Sequence, residues 1–158
     1  MNKISPCLWF DSRAEEAATF YTSIFKDSKI GSVSRYSEAA AKMTGRPVGS
    51  AFVVTFQLAG QNFLALNGGP LFKFSEAISL TVTCEDQAEV DYYWEKLSEG
   101  GAEGQCGWLK DRFGLSWQVV PSELPKIMSG PGAEKAMQAL LGMKKLDIGA
   151  LKRAAAGE

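Results

Sequence analysis

The stretch Ile78-Ser79-Leu80-Thr81-Val82-Thr83-Cys84-Glu85-Asp86-Gln87-Ala88-Glu89-Val90 decides the fold. Ile78, Leu80 and Val82 alternate with Ser79, Thr81 and Thr83, which is the period of a half-buried strand. Asp86 followed by Glu89 fits a capping box: the first side chain accepts from an orphan helix amide and the second reaches back. Val90, Tyr93, Trp94 and Leu97 then fall on one helical face, and Gly100-Gly101 ends it. The same layout occurs 74 positions earlier, with Ile4 standing where Ile78 stands. Ile4 to Phe10 is a strand-like apolar run, and Ser12 and Glu15 occupy the capping-box positions. Ala14, Ala17, Ala18, Tyr21, Ile24 and Phe25 form the helical face. Ile4, Ser5, Ala14 and Glu15 are identical to Ile78, Ser79, Ala88 and Glu89. The shared order of strand, cap and helix argues for duplication more strongly than those identities do.

Strand-like segments follow each helix. In the first half they are Gly31 to Tyr36, Ala51 to Leu58 and Gln61 to Leu66, with a loop through Gly45, Pro47 and Gly49. The last two read as a hairpin turning at Ala59-Gly60. In the second half they are Ala102 to Cys106, Trp108 to Asp111, and Leu115 to Val120 after the Phe113-Gly114 turn, so that Phe63 matches Trp117. From Pro121 the pattern is helical. Ala133, Ala136, Met137, Leu140 and Leu141 give one face, and Leu146, Ile148 and Leu151 a shorter one. The prediction is an α+β fold of paired βαβββ modules with a helical C-terminal tail. Residues 1–67 form the first module, 68–77 a linker, 78–120 the second module and 121–158 the extension, all within a single domain, 1–158. The tail is expected either to cover the chain's own sheet or to dock on a second subunit.

Composition narrows the function. The chain has 158 residues, 46% hydrophobic and 22% charged, which is ordinary globular usage and excludes a disordered chain. No apolar stretch has the length of a membrane span, and no signal peptide is expected at the N-terminus. The net charge of −1 supplies no basic excess for nucleic acid. There is no histidine, which removes the commonest general base and the commonest transition-metal ligand. Cys7, Cys84 and Cys106 are scattered, with no C-x-x-C, and read as reduced thiols of a cytoplasmic protein.

Paired βαβββ modules resemble the vicinal-oxygen-chelate superfamily, which includes glyoxalase I, extradiol dioxygenases and bleomycin-resistance proteins. The finer resemblance is to its PhnB-like, or demethylubiquinone methyltransferase-like, branch. It is carried by Phe10-Asp11, Glu16-Ala17, Phe20-Tyr21 and Leu66-Asn67-Gly68-Gly69-Pro70. It continues through Glu76-Ala77-Ile78-Ser79, Asp86-Gln87-Ala88-Glu89-Val90-Asp91 and Cys106-Gly107-Trp108-Leu109-Lys110-Asp111-Arg112-Phe113-Gly114. Ser116-Trp117-Gln118 and Met143-Lys144-Lys145-Leu146-Asp147-Ile148 complete it. The resemblance implies the glyoxalase/bleomycin-resistance-like fold, each sheet curling around a cleft, and a homodimer.

It also implies a divalent metal held by His, Glu or Gln on the first and last strands of each module. Those positions fall at or next to Ile4 and Ile78, and near Leu64 and Gln118; a register shift of one brings in Ser5 and Ser79. A single amide among apolar or hydroxyl groups is a poor donor set, so no metal and no cofactor is expected. The methyltransferase label calls for a Gly-rich turn between a strand and a helix. Gly68-Gly69-Pro70 leads instead into Leu71-Phe72-Lys73-Phe74 and reads as a linker.

What remains is a cleft. On the first of the hairpin strands Phe52, Val54, Phe56 and Leu58 form an apolar face for the helix, leaving Thr55 and Gln57 opposite. Trp117 and Val119 go with the helix, leaving Ser116 and Gln118. The candidate ligand contacts are Thr55, Gln57, Asn67, Trp108, Ser116 and Gln118. Gln118 reads equally as a cleft amide or as an edge residue satisfied by backbone; Trp9 and Trp108 suit a cleft or a dimer face, but read first as core aromatics. Lys110-Asp111-Arg112 reads as a solvated turn with local ion pairing, Cys106 as an inert thiol, and Phe20 as a mark of a partner surface. The leading expectation is a metal-independent homodimer that binds an unidentified small molecule, with no nucleic-acid or membrane partner. The alternatives are an enzyme of the superfamily (lyase, isomerase or dioxygenase) with a displaced site, and an interaction module acting through the tail.

Overall fold

A computed structural model describes residues 2–158, and the chain divides into a unit ending at Lys73 and a unit beginning at Phe74. Among the described residues there are two four-stranded sheets and six helices. Unit 1 contains β1 (Cys7–Phe10), α1 (Ala14–Ile24), β2 (Lys29–Arg35), α2 (Glu38–Thr44), β3 (Ala51–Leu58) and β4 (Gln61–Asn67). Its sheet runs β1-β4-β3-β2. Unit 2 contains β5 (Leu80–Cys84), α3 (Gln87–Ser98), β6 (Ala102–Glu103), β7 (Trp108–Lys110) and β8 (Ser116–Pro121), and its sheet runs β5-β8-β7-β6. In both units the first strand pairs parallel with the last, and the other pairs are antiparallel. The paired βαβββ plan read from the sequence is the plan of the protein.

Each helix covers one face of its sheet. Ala14, Ala17, Ala18, Tyr21 and Ile24 of α1 are buried. The small alanines let the helix lie close to Val54, Phe56 and Leu58 of β3 and Phe63 and Ala65 of β4, all buried as well. Tyr21 stacks on Phe56, whose ring lies 5.3 Å from that of Phe63. Phe52, at the start of β3, departs from the expected apolar face; it is exposed, with its ring 4.7 Å from Tyr36. Phe20 is half-buried beside Tyr21. The strands start later than the sequence pattern indicated, at Cys7 and Leu80, and the preceding Ile4 and Ile78 are exposed.

The two helix starts are built differently. At α3 the local cap is present: Asp86 Oδ1 accepts from Glu89 N at 2.9 Å, and Glu89 reaches back one residue beyond the N-cap, its Oε2 accepting from Glu85 N at 2.8 Å. At α1 it is not. The N-cap is Arg13, with no side-chain cap of its own, and Ser12 lies one residue too early. The amide of Ala14 instead donates to Asn67 Oδ1 at 2.8 Å. Asn67 Nδ2 donates to Ala51 O at 3.0 Å, and Asn67 O accepts from the Tyr36 hydroxyl at 2.6 Å. One buried amide therefore ties the end of β4 to the start of α1 and the start of β3. Glu15, released from capping, pairs with Arg35.

The segment before Gly45, expected as loop, holds α2. Ser37 Oγ accepts from Ala40 N, and Gly45 closes the helix at φ +73°. The tail forms α4 (Leu124–Ile127), α5 (Ala133–Leu141) and α6 (Ile148–Ala156). Gln87 Nε2 donates to Leu146 O at 3.0 Å, and Gln87 Oε1 accepts from Ile148 N at 2.8 Å. Leu146 and Leu151 are fully buried. The approach to α6 thus docks on its own unit, while Met137 and Leu141 of α5 stay exposed.

Asn67→Ala leaves the α1 amide without an acceptor and is expected to cost about 2 kcal/mol in urea denaturation. Ser12→Ala is expected to change stability by less than about 0.5 kcal/mol. Equal losses would contradict this assignment of the cap.

Candidate functional site

Strand parity fixes the open face of the unit 2 sheet. Leu109 of β7 and Trp117 and Val119 of β8 are buried on the side of α3. Trp108, Lys110, Ser116 and Gln118 therefore project to the other side. Trp108 lies directly across from Gln118, and Lys110 directly across from Ser116. On the far side of β8, Thr81 pairs with Gln118.

The polar groups on this face differ in how they are satisfied. Gln118 Nε2 donates to Ser79 Oγ at 2.9 Å. Lys110 Nζ forms an ion pair with Glu76, and that bond, with the lysine's positive charge, holds the Glu76 carboxyl below the usual carboxylate range. Ser116 is 1% exposed, and among the described residues its Oγ is the buried side-chain polar atom with no hydrogen-bond partner. Trp108 is half-buried. Glu76, Trp108, Lys110 and Ser116 border a hollow of about 320 Å³.

The open face of unit 1 carries Thr55 and Gln57, opposite Leu64 and Asn62. Both are already partnered. Thr55 Oγ1 accepts from Ser32 N at 2.7 Å, and Gln57 Nε2 donates to Asn62 Oδ1 at 2.7 Å. With Ser5 and Lys29 they border a hollow of about 410 Å³. Asn67, expected among the ligand contacts, lies on the opposite face of β4 with Phe63 and Ala65, its side chain spent on the cap of α1.

Asp111 corrects the reading of Lys110-Asp111-Arg112 as a solvated turn. It is 2% exposed. Its Oδ1 accepts from Phe113 N at 2.8 Å and Leu115 N at 3.1 Å, and its Oδ2 accepts from Trp117 Nε1 at 2.8 Å. A buried carboxylate is tolerated when donors surround it in this way. It clamps the turn that sets Lys110 opposite Ser116, and it faces the helix side with Trp117. Sequence reasoning named Ser79 next to a metal position and missed Glu76 and Lys110 at the site. Alternation about the buried Leu109 signals Lys110; nothing local signals Glu76.

The residues do not fit the superfamily's metal. Ser5 and Ser79 lie just before the first strands, whose register sets Cys7 beside Leu64 in unit 1 and Thr81 beside Gln118 in unit 2. Among the described residues no group of three or more His, Cys, Asp and Glu side chains is arranged to hold an ion. Gly68-Gly69 is no cofactor cradle either. A Cβ on Gly68 would lie 2.3 Å from the Trp9 ring, and one on Gly69, at φ +95°, would lie 2.0 Å from the Arg46 guanidinium. The glycines let the chain pass these two side chains, and Trp9 Nε1 donates to Gly69 O at 2.9 Å. Burial pushes the Cys84 thiol up to about 12, and burial also raises that of Cys7. Neither is an activated nucleophile.

Residues 2–120 match the family model described as 3-demethylubiquinone-9 3-methyltransferase. A solved structure from Bacillus cereus, described as a 3-demethylubiquinone-9 3-methyltransferase, PhnB protein, is 38% identical; the match covers 77% of this chain and 100% of that one, with a TM-score of 0.69. A protein from Pseudomonas aeruginosa matches at 18% identity over 77% of this chain and 98% of its own, with a TM-score of 0.62. The fosfomycin resistance protein FosX from Listeria monocytogenes matches at 15% identity over 82% and 98%, with a TM-score of 0.56. The last two share the fold. No curated protein is significantly similar in sequence.

Asp111→Asn turns a donor toward the Trp117 indole N–H and is expected to cost about 2 kcal/mol in chemical denaturation; a solvated turn would lose nothing measurable. In the folded protein at pH 8, iodoacetamide followed by peptide mass mapping is expected to modify Cys7 and leave Cys84 untouched until denaturant is added. Early modification of Cys84 would contradict its burial.

Proposed function

The chain belongs to the 3-demethylubiquinone-9 3-methyltransferase family, the PhnB-like branch of the vicinal-oxygen-chelate fold, and from that premise we propose that it is a homodimeric, cytoplasmic binding protein for a small, partly apolar molecule, working without a divalent metal. The observation that carries this reading is the donor set. Serine, leucine and glutamine occupy the positions where the superfamily's enzymes place ligands. All are neutral, and the single amide of Gln118 cannot replace the imidazoles and carboxylates that complete such a set. The methyl transfer that the family is named for would call for an S-adenosylmethionine site, and the filled surroundings of Gly68 and Gly69 do not fit a cofactor turn.

Thr55 and Gln57 in unit 1, and separately Trp108, Ser116 and Gln118 on the open face of unit 2, are assigned as the candidate ligand contacts. They combine apolar surface with a few orienting hydroxyls and amides, the usual composition of a small-molecule site. Such groups fix orientation and specificity, while removal of apolar ligand surface from water supplies affinity. The whole chain, 1–158, acts as one functional domain in this reading: modules 1–67 and 78–120, linker 68–77 and extension 121–158. The dimer is supported by the exposed apolar side chains Leu71, Phe72 and Leu141, and the cytoplasmic setting by three unpaired thiols.

Protein purified without chelator is expected to carry substoichiometric divalent metal by elemental analysis, and light scattering is expected to give twice the chain mass. A stoichiometric metal that is lost in Gln118→Ala would replace this reading with an enzyme of the superfamily, a lyase, isomerase or dioxygenase with an atypical site.

A further inference from the structure

We infer that the open face of unit 2 takes a small planar organic carboxylate, its anionic end on Lys110 and Ser116 and its ring against Trp108. This deepens the small-molecule reading and rests on it.

Ser116 carries the argument. Its hydroxyl is buried and has no partner within the protein, although buried polar groups are almost always satisfied. A hydroxyl held in that state is already stripped of water and is free to donate to an incoming acceptor. Lys110 is its direct cross-strand neighbour, so the ammonium stem stands beside it. The lysine is parked on Glu76, and both members of that pair are well exposed. An exposed pair of this kind is worth little, so exchanging Glu76 for a ligand carboxylate costs little, and the released glutamate returns to water. The exchange draws Lys110 off Glu76 and opens the way to the Ser116 hydroxyl.

Trp108 sets the rest of the ligand. It is half-buried, on the same face as Lys110 and two residues away on β7. Its indole offers an apolar wall for a planar group. Glu103, the other carboxylate bordering the hollow, accepts from Trp94 Nε1 at 3.0 Å on the helix side and does not compete for the lysine. A volume of about 320 Å³ suits a single ring rather than a dinucleotide. The hollow of unit 1, although bordered by Lys29, holds no buried unpartnered hydroxyl among the described residues, and Thr55 and Gln57 there are already bonded to Ser32 and Asn62.

The test is titration of the full-length, isotope-labelled protein with benzoate, followed by amide and indole shifts, with benzamide as the neutral control. Benzoate is expected to move the Trp108 indole and the amides of Lys110 and Ser116, and to bind more tightly than benzamide. Lys110→Met is expected to weaken benzoate binding about tenfold without weakening benzamide. Glu76→Gln is expected to tighten benzoate binding roughly threefold. Ser116→Ala is expected to weaken benzoate binding while leaving the melting temperature unchanged or higher, since it removes an unpaired buried hydroxyl. Equal binding of benzoate and benzamide, no benzoate shifts at all, or a lower melting temperature for Ser116→Ala each overturns the inference. Benzoate shifts confined to Thr55 and Gln57 overturn it too, yet leave the small-molecule reading standing. That reading itself falls with the metal analysis above, independently of these titrations.

Discussion

The parallel pairing of the first strand of each unit with its last is the constraint from which the rest of the structure follows. A parallel pair cannot be closed by a tight turn and needs a long crossover. The intervening helix and two strands provide it, and in returning they lay α1 or α3 over one face of the sheet. With one face covered, the period of two leaves the alternate residues on the other. The register names them: Cys7 beside Leu64, and Thr81 beside Gln118. A slip of one residue would exchange the faces completely, so the buried sets on β4 and β8 hold the open sets in place.

The two units solve the same problem with different local chemistry. At α1 the helix amide is met from a distance by Asn67; at α3 the capping pair is local. The β7–β8 turn is clamped by Asp111, a carboxylate that gives up water for donors from two amides and an indole. The open faces diverge further. Unit 1 closes its polar groups on one another, whereas unit 2 leaves the Ser116 hydroxyl unpaired at a cost of about 1–3 kcal/mol. Sequences that obey the packing rules elsewhere tend to break them where a surface has work to do.

Much of this was legible in the sequence because it is periodic or local. The alternation from Ser79 to Cys84, the Asp86 and Glu89 cap and the apolar face of α1 all signal through spacings shorter than two helical turns. The parity that sends Trp117 inward and Gln118 outward was legible for the same reason. What was not legible depends on partners remote in sequence. Ser12 has the look of a cap, but the Ala14 amide is met by Asn67, 53 residues further along the chain. Asp111 looked solvated because its indole partner lies across a turn, and Glu76 reaches Lys110 from outside the strands. The short α2 has local signals of its own, Ser37 as cap and Gly45 as stop, but the Pro47 and Gly49 that follow carry the stronger signal of a loop.

The central claim is that the register places groups unable to hold a divalent ion at the positions where this fold elsewhere coordinates one. Titrating the full chain with Mn(II) and following the solvated-ion signal by electron paramagnetic resonance tests it most directly. The account predicts that one equivalent of protein leaves that signal at its intensity in buffer alone. Loss of the signal at a ratio of one ion per chain, restored by Gln118→Ala or Ser79→Ala, would contradict it.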